Sequence, residues 1–418
     1  MEIGVLHLGL GAFHRAHQAV YFNQAIANGH PEMAIAAVSM RKSDVADSLR
    51  DQGYSYRVVA RDGASEESTT VTAIKETYFY GRDLKAIEAI AISPALKAIT
   101  LTVTEKAYRI DGSSSFPNQL VHLLNERFKS GAPGIAVICC DNLPSNGDST
   151  ARMVNHVASE LGDPPFLAWI ANHIRFPNSM VDRIVPAITG DSITTEPFSQ
   201  WVIENDPISK YLAGTGAEFV SDVRPYELAK IRLFNGVHST LAYLGELIGT
   251  EYVANAVVDP IIGPYIKAMQ EQEIAPSISD PAGIDLISYA ATIRKRISNP
   301  TLKHRAEQIA MDGSQKLQQR IINSMNDLAT KSLPAPRLGV ALAIWVHYLA
   351  TSPRVSDPFA TQLIPIAQLA DPLLAVTGIF DHPTFSTKLD AKYLPQIAAA
   401  LAELRSREPL DVLKELEQ

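Results

Sequence analysis

The chain has 418 residues, of which 46% are hydrophobic and 20% charged; that is more than one ordinary core holds, so two globular domains are expected. A formal net charge of -8 excludes a general nucleic-acid or anionic-membrane surface and leaves anionic ligands to local clusters of donors.

The first apolar run, residues 3–8, is free of any charged-then-apolar leader and reads as a strand. It runs directly into Gly9-Leu10-Gly11-Ala12-Phe13-His14 and a helical pattern to residue 27. Strand, glycine turn, helix is the context in which a G-x-G pattern carries meaning. Gly9 permits the tight turn, and Gly11 permits a pyrophosphate to approach the backbone at the helix start. His14 stands where the third glycine of the fingerprint would be; on these residues alone, a plain strand–turn–helix is the alternative. A second strand over 33–40 leads to Arg41-Lys42-Ser43-Asp44. Asp44 is placed to accept from ribose hydroxyls and Arg41 to stack on adenine or meet a phosphate, the plain alternative being an exposed charged turn.

Residues 54–60 and 69–80 are β-rich and separated by Arg61-Asp62-Gly63, which predicts an antiparallel insertion. Further strands are expected over 98–104 and 134–140, with a helix over 118–129 between them. The adjacent Cys139 and Cys140 close the second of these; they suit neither a disulfide framework nor a spaced metal site and point to a reducing, cytoplasmic setting. In a doubly wound sheet, ligands sit at the carboxyl ends of the strands, so Thr104, Glu105 and Asn142 share a rim with Gly9 and Gly11. Asn142 as cap of the next helix is the plain reading of that residue. More strands are expected near 183–189 and 194–204. From residue 225 onward long helices alternate with proline-bearing loops, and the longest apolar run, 338–350, is too short to span a bilayer. The expected fold is therefore α/β: a Rossmann-type doubly wound sheet with an antiparallel insertion over 1–224, binding a dinucleotide, and a mostly α-helical substrate domain over 225–418.

The stretch 226–240, YELAKIRLFNGVHST, is apolar nearly all round, yet at about 100° per residue it sets Glu227, Lys230, Asn235 and His238 within roughly 140° of arc. Buried unsatisfied, such groups cost about 1–3 kcal/mol each or more, so they need partners, water or a substrate. A satisfied polar seam between helices is the plain alternative. A lysine in a dry cleft accepts a proton near neutral pH because desolvation disfavours its charged form. Two amides, Asn142 and Asn235, suit a developing oxyanion, and His238 a neighbouring hydroxyl. Tyr226 and Lys230 also match the Y-x-x-x-K of short-chain dehydrogenases. In those shorter chains the tyrosine lies inside the nucleotide domain, so the match is accidental. Downstream, residues 299–320 predict a loop and then a helix broken near Asp312-Gly313. Lys316 and Arg320, spaced i, i+4, can present two cations to one anion; the alternative is that Arg320 pairs with Glu307 or another carboxylate on the domain surface. His7, His14 and His17 fit no ligand motif, so no metal is expected.

In these blocks the chain resembles the polyol-specific long-chain dehydrogenases, the mannitol dehydrogenase and fructuronate reductase (D-mannonate oxidoreductase) family. The resemblance runs through 9–17 (GLGAFHRAH), Thr104-Glu105, 140–147 (CDNLPSNG), 176–183 (FPNSMVDR) and 196–202 (EPFSQWV). It continues through Lys230, Asn235 and His238, then 281–285 (PAGID) and 312–316 (DGSQK), and so spans nearly the whole chain. It implies a zinc-independent, nicotinamide-dependent oxidoreductase with Lys230 as general acid/base and Asn142 and Asn235 polarising the reactive oxygen. Asp182, His238 and Lys316 would line the substrate site, and Gly9, Gly11, Ala12, Phe13, Arg41, Asp44, Thr104 and Glu105 the cofactor site. NAD is the expected cofactor, with NADP left open by the basic turn at Arg41 and Lys42. Gln308 with Lys316 and Arg320 is more similar to the fructuronate reductase branch, which implies a sugar acid, fructuronate reduced to mannonate. The alternatives are a polyol such as mannitol and, from a different class, a non-catalytic nucleotide-binding protein. The oligomeric state stays open, a monomer included.

Overall fold

Four strands whose every residue is buried, β1 (Val5–Leu8), β2 (Ile35–Ser39), β6 (Ala98–Leu101) and β7 (Ile135–Cys139), form the heart of the first unit. The structure is a computed structural model that describes residues 2–63, 65–110, 112, 115–186, 192–279 and 283–416. The chain divides into two units, Met1–Arg224 and Pro225–Gln418. Between β2 and β6 come β3 (Tyr56–Arg61), β4 (Glu66–Val71) and β5 (Ile74–Phe79). After β7 come β8 (Ile174–Arg175), β9 (Ser179–Asp182), β10 (Ser192–Thr195), β11 (Gln200–Glu204) and β12 (Glu218–Val220).

The main sheet has the order β5-β2-β1-β6-β7-β8 with every pair parallel. Counted among its own members this is 3-2-1-4-5-6, the doubly wound order, with its reversal between β1 and β6. Residues alternate between two cores, as a sheet covered on both faces requires: Leu6, Leu8, Ala36 and Val38 enter one, and Val5, Ile35 and Ala37 the other.

The insertion is the antiparallel hairpin β3–β4, extended by β10 lying parallel to β3. The single run expected over 69–80 is in fact two strands in different sheets. The Thr72 amide is held by Asn23 Oδ1 at 2.9 Å, and the Ala73 carbonyl accepts from the Ile35 amide at 2.9 Å. These contacts turn the chain out of the hairpin and into the main sheet as β5. The expected strand over 194–204 likewise divides into β10 and β11, and β11 joins β9 and β12 in a third sheet. Residues 183–186 form no strand, and 187–191 lie outside the described residues.

The described regular elements of the second unit are all helices, apart from one isolated antiparallel bridge, Tyr252 with Arg305. Here the stretch 226–240 departs from a uniform helix: an α turn, Arg224–Ala229, passes into a π-helix, Lys230–Gly236, and returns to α over Val237–Ile248. The break expected near Asp312 is present, with Asp312 left-handed at φ 59° between helices Ala306–Ala310 and Gly313–Leu317. Among the described residues no helix is long and apolar enough to cross a membrane.

His7, on β1, bonds Thr100 Oγ1 at 2.8 Å and Thr102 Oγ1 at 3.0 Å, and its ring stacks on His14 with centroids 3.3 Å apart. A flat ring thus fills the slot at the third-glycine position. Burial holds both imidazoles below their ordinary 6.5, His7 down to about 3. Below pH 6.5 the unfolded chain takes up protons that the folded one refuses, so stability falls with pH by up to about 1.4 kcal/mol per pH unit per group. Urea midpoints should therefore drop from pH 7 to pH 5, and His14→Leu should flatten the dependence by about one group's share. A midpoint constant over that range in the parent contradicts the neutral stack.

Candidate active site

The first component is built from the strand ends at the reversal point. Gly9 leaves β1 with φ 112°, and a Cβ there would stand 2.1 Å from the Thr102 carbonyl oxygen, so only glycine fits. Thr102 Oγ1 in turn donates to the Gly9 carbonyl at 2.8 Å. At Gly11 the situation is the opposite. A Cβ would meet only the Gly9 carbonyl oxygen at 3.7 Å, so the protein itself does not demand glycine there. Gly11 is the N-cap of helix Ala12–Ala16, and no side chain caps that helix's first amides. A bare glycine facing open space beside uncapped amides is what close approach of a pyrophosphate needs.

That space is a cleft of about 650 Å³ lined by Gly9, Gly11, Met40, Arg41, Lys42, Val45, Thr104, Phe116 and neighbouring residues of the first unit. Asp141, just past β7, fastens its rim: its carboxylate accepts from the amides of Val103 (3.0 Å) and Thr104 (2.9 Å) and from the Tyr108 hydroxyl (2.9 Å). Thr104 is held at φ 73°, a conformation costing a non-glycine residue roughly 1–3 kcal/mol. The Asp141 clamp offsets that strain.

Gly9, Gly11, Arg41 and Thr104 are therefore brought together. Asp44 is exposed at the start of helix Asp44–Asp51 and is not among the described residues lining the cleft, where Arg41 and Lys42 stand instead. Ala12 and Phe13 lie in the uncapped first turn, the Phe13 ring stacked on His17 at 5.0 Å. Glu105 opens a short 3-10 turn, Glu105–Tyr108, and its side chain lies outside the described residues. Asn142 is exposed in the loop after β7, but the cap of the following helix, Asn146–Glu160, is Ser145. The buried amide there is Asn146, at the start of that helix, which donates to the carbonyls of Cys139 and Ser179, each at 2.8 Å, and accepts from the Ser179 amide. Asp182 ends β9, buried, opposite Gln200 of β11.

The second component lies on the π-helix of the second unit. Hydrogen bonding from i to i+5 draws a residue's fifth neighbour toward its own face, so Lys230 and Asn235 are one π turn apart rather than the 140° of an α-helix. Lys230, Asn235 and His238 are 6%, 8% and 7% exposed. Among the described residues, Asn235 Oδ1 and His238 Nε2 have no hydrogen-bond partner. Burial, with the positive fields of Arg320 and Arg296 nearby, holds His238 neutral well below its ordinary range. Arg320 Nη1 donates to Ser239 Oγ at 2.8 Å and lies 3.4 Å from the Asn235 carbonyl oxygen.

Lys316 and Arg320 bond different partners. The helix becomes π at Gln318, Lys316 is turned to the Met311 carbonyl at 2.7 Å, and Arg320 is turned to Ser239. Glu307 lies 4.0 Å from Arg305. Of the DGSQK block, Gly313 is required by packing: a Cβ there would stand 2.5 Å from both Trp345 Nε1 and the Tyr243 hydroxyl. Pro281 and Ala282 of the PAGID block lie outside the described residues. Two residues near His238 escaped the motif reading, Arg296 and His304. Each lies in a short basic run, Arg294-Lys295-Arg296 and Lys303-His304-Arg305, and no spacing ties either to residues 226–240. Among the described residues no group of three or more His, Cys, Asp or Glu is placed to hold a metal ion.

The doubly wound sheet is a dinucleotide-binding architecture, and the family matches make the protein an oxidoreductase acting on CH–OH groups. The chain belongs to the mannitol dehydrogenase family: residues 3–212 match the mannitol dehydrogenase Rossmann domain and 222–376 the mannitol dehydrogenase C-terminal domain. It is 32% identical to the D-mannonate oxidoreductase of Escherichia coli (strain K12), over 97% of this chain and 94% of that one. It is 29% identical to a mannitol 2-dehydrogenase of Aspergillus fumigatus, over 96% and 90%. Its fold matches the ternary complex of Pseudomonas fluorescens mannitol 2-dehydrogenase with NAD and D-mannitol, with a TM-score of 0.87, 27% identity and coverage of 100% and 94%.

The two glycines separate by experiment. Gly9→Ala should destabilise the fold by about 2 kcal/mol or more, through the clash with Thr102 and the left-handed strain. Gly11→Val should leave the melting temperature near that of the parent and abolish NADH binding, read by fluorescence titration. Normal NADH affinity in Gly11→Val would show that the pyrophosphate does not approach there.

Proposed function

We propose that this protein transfers a hydride between NAD(H) and a secondary alcohol of a sugar acid, interconverting D-mannonate and fructuronate, with Lys230 as general acid/base. The observation that carries the reading is the π-turn face: three polar side chains, each more than nine-tenths buried, of which Asn235 Oδ1 and His238 Nε2 lack a hydrogen-bond partner among the described residues. The bound nicotinamide supplies or accepts the hydride. In the oxidative direction Lys230 takes the hydroxyl proton as the C–H bond breaks, and in reduction it returns that proton to the oxygen. Asn235 donates to the oxygen as its charge develops, and Asn142 is the second amide proposed for that role. His238 contacts the substrate one turn beyond Asn235, with Asp182 and Lys316 as further substrate contacts. Gly11 and the uncapped amides of Ala12 and Phe13 hold the pyrophosphate; Thr104 and Glu105 border the cofactor site.

Likeness to D-mannonate oxidoreductase supports the sugar-acid assignment, as does the placement of Arg320 beside Asn235 and Ser239. A polyol such as mannitol is the second reading, favoured by the fold match to a mannitol 2-dehydrogenase complex. NAD is the proposed cofactor on the same match, with NADP the alternative because Arg41 and Lys42 line the cleft. The two free buried cysteines accord with work in the cytoplasm.

Steady-state rates on D-mannonate, fructuronate, D-mannitol and fructose with both cofactors test the assignment; a wide preference for mannitol and fructose would replace it by the polyol reading. Lys230→Ala should lower turnover by about 10²–10⁴ with NADH affinity unchanged. Asn235→Ala should lose roughly 10²–10³. A Lys230→Ala enzyme within a few-fold of the parent would remove the lysine from the chemistry.

A further inference from the structure

His304 lies outside every motif block, on the segment entering helix Ala306–Ala310. Its backbone is fixed: the Val253 amide donates to its carbonyl at 3.2 Å, and the next residue, Arg305, bridges to Tyr252. The preceding Lys303 is left-handed at φ 46°, an uncommon conformation for a non-glycine residue. So held, the His304 ring lies edge-to-face with that of His238, centroids 5.0 Å apart. His304 Nδ1 and His238 Nε2 are both buried and, among the described residues, both lack a hydrogen-bond partner.

Two guanidinium groups flank this pair. Arg296 lies over the Phe234 ring at 4.7 Å, and that ring is 4.8 Å from His238. Arg320 is bonded to Ser239, the residue after His238. A neutral imidazole carries one N–H and one lone pair, so the two rings can offer two donors to one ligand. A hydroxyl would use one donor and one acceptor and gain little from two positive charges. A carboxylate accepts from both rings and is attracted by both guanidiniums.

We infer that His304, with His238 and Arg320, binds the carboxylate of the substrate and thereby selects a sugar acid over the corresponding polyol. The inference rests on the sugar-acid reading above. His304 is a specificity residue remote from the reacting carbon, so its loss should appear in KM rather than in kcat.

The test compares His304→Phe, which keeps a ring and removes the N–H, with the parent. D-mannonate is the substrate, and D-mannitol serves as substrate or competitive inhibitor. The expected result is a KM for D-mannonate raised by about 10–100-fold, as for loss of a hydrogen bond to a charged group. Its kcat should stay within about threefold, and the KM or KI of D-mannitol should not move. His304→Gln, which keeps a donor, should fall between parent and His304→Phe, and it carries the test alone if the phenylalanine variant does not fold. Equal losses on D-mannonate and D-mannitol would make His304 a hydroxyl contact and overturn the inference. Unchanged constants for D-mannonate would overturn it while leaving the sugar-acid function intact. A parent enzyme that turns over D-mannitol and not D-mannonate sinks the sugar-acid reading itself, and the inference with it, before any variant is made.

Discussion

The second unit is organised around one irregular turn of helix. A π segment carries one residue too many for α hydrogen bonding, which leaves backbone groups to be satisfied from outside. In Lys230–Gly236 the Leu233 carbonyl accepts from Gln270 Nε2 at 2.9 Å, and Gln270 Oε1 accepts from Arg294 at 2.7 Å. Arg232, buried, reaches Asp327 at 2.5 Å and Ser277 Oγ at 3.0 Å. At Gly236 a Cβ would stand 2.7 Å from the Arg320 carbonyl oxygen, so the absence of a side chain lets the π segment at Gln318–Ile322 touch the first. That contact seats Arg320 beside Asn235 and Ser239. One local irregularity thus sets the spacing of Lys230 and Asn235 and docks the nearby cation.

The first unit meets a related demand with different means. A dinucleotide needs backbone amides, space and a stable rim at one place, and the reversal of strand order between β1 and β6 supplies the place. Gly9 is fixed by the Thr102 carbonyl, Gly11 by nothing except the space it leaves, and Thr104 by the Asp141 carboxylate. Function at Gly11 and structure at Gly9 are therefore distinguishable within one three-residue turn.

Much of the fold was legible because hydrophobic period and turn chemistry agree: a continuous apolar run, Gly9 to Gly11, then a helical pattern. The division of 69–80 into β4 and β5 was not, since Thr72 and Ala73 are ordinary strand residues and the turn there is made by Asn23, far away in sequence. Lys230, Asn235 and His238 stood out as polar residues on an apolar helix. Their true spacing did not, because a period of 100° per residue presumes an α-helix, and the π turn is stabilised by Gln270 and Asp327 from distant stretches. His304 was invisible for a plainer reason: a single histidine in a loop has no periodicity, and only the fold brings it to His238.

The most direct test of Lys230 as the proton acceptor is the pH dependence of kcat/KM for D-mannonate oxidation, compared between the parent and Lys230→Ala. Loss of the proton acceptor should remove an inflection, so the parent profile should fall at low pH through a limb missing from the weak residual activity of the variant. The same inflection surviving in Lys230→Ala would contradict it, because the group that takes the proton would then be another residue.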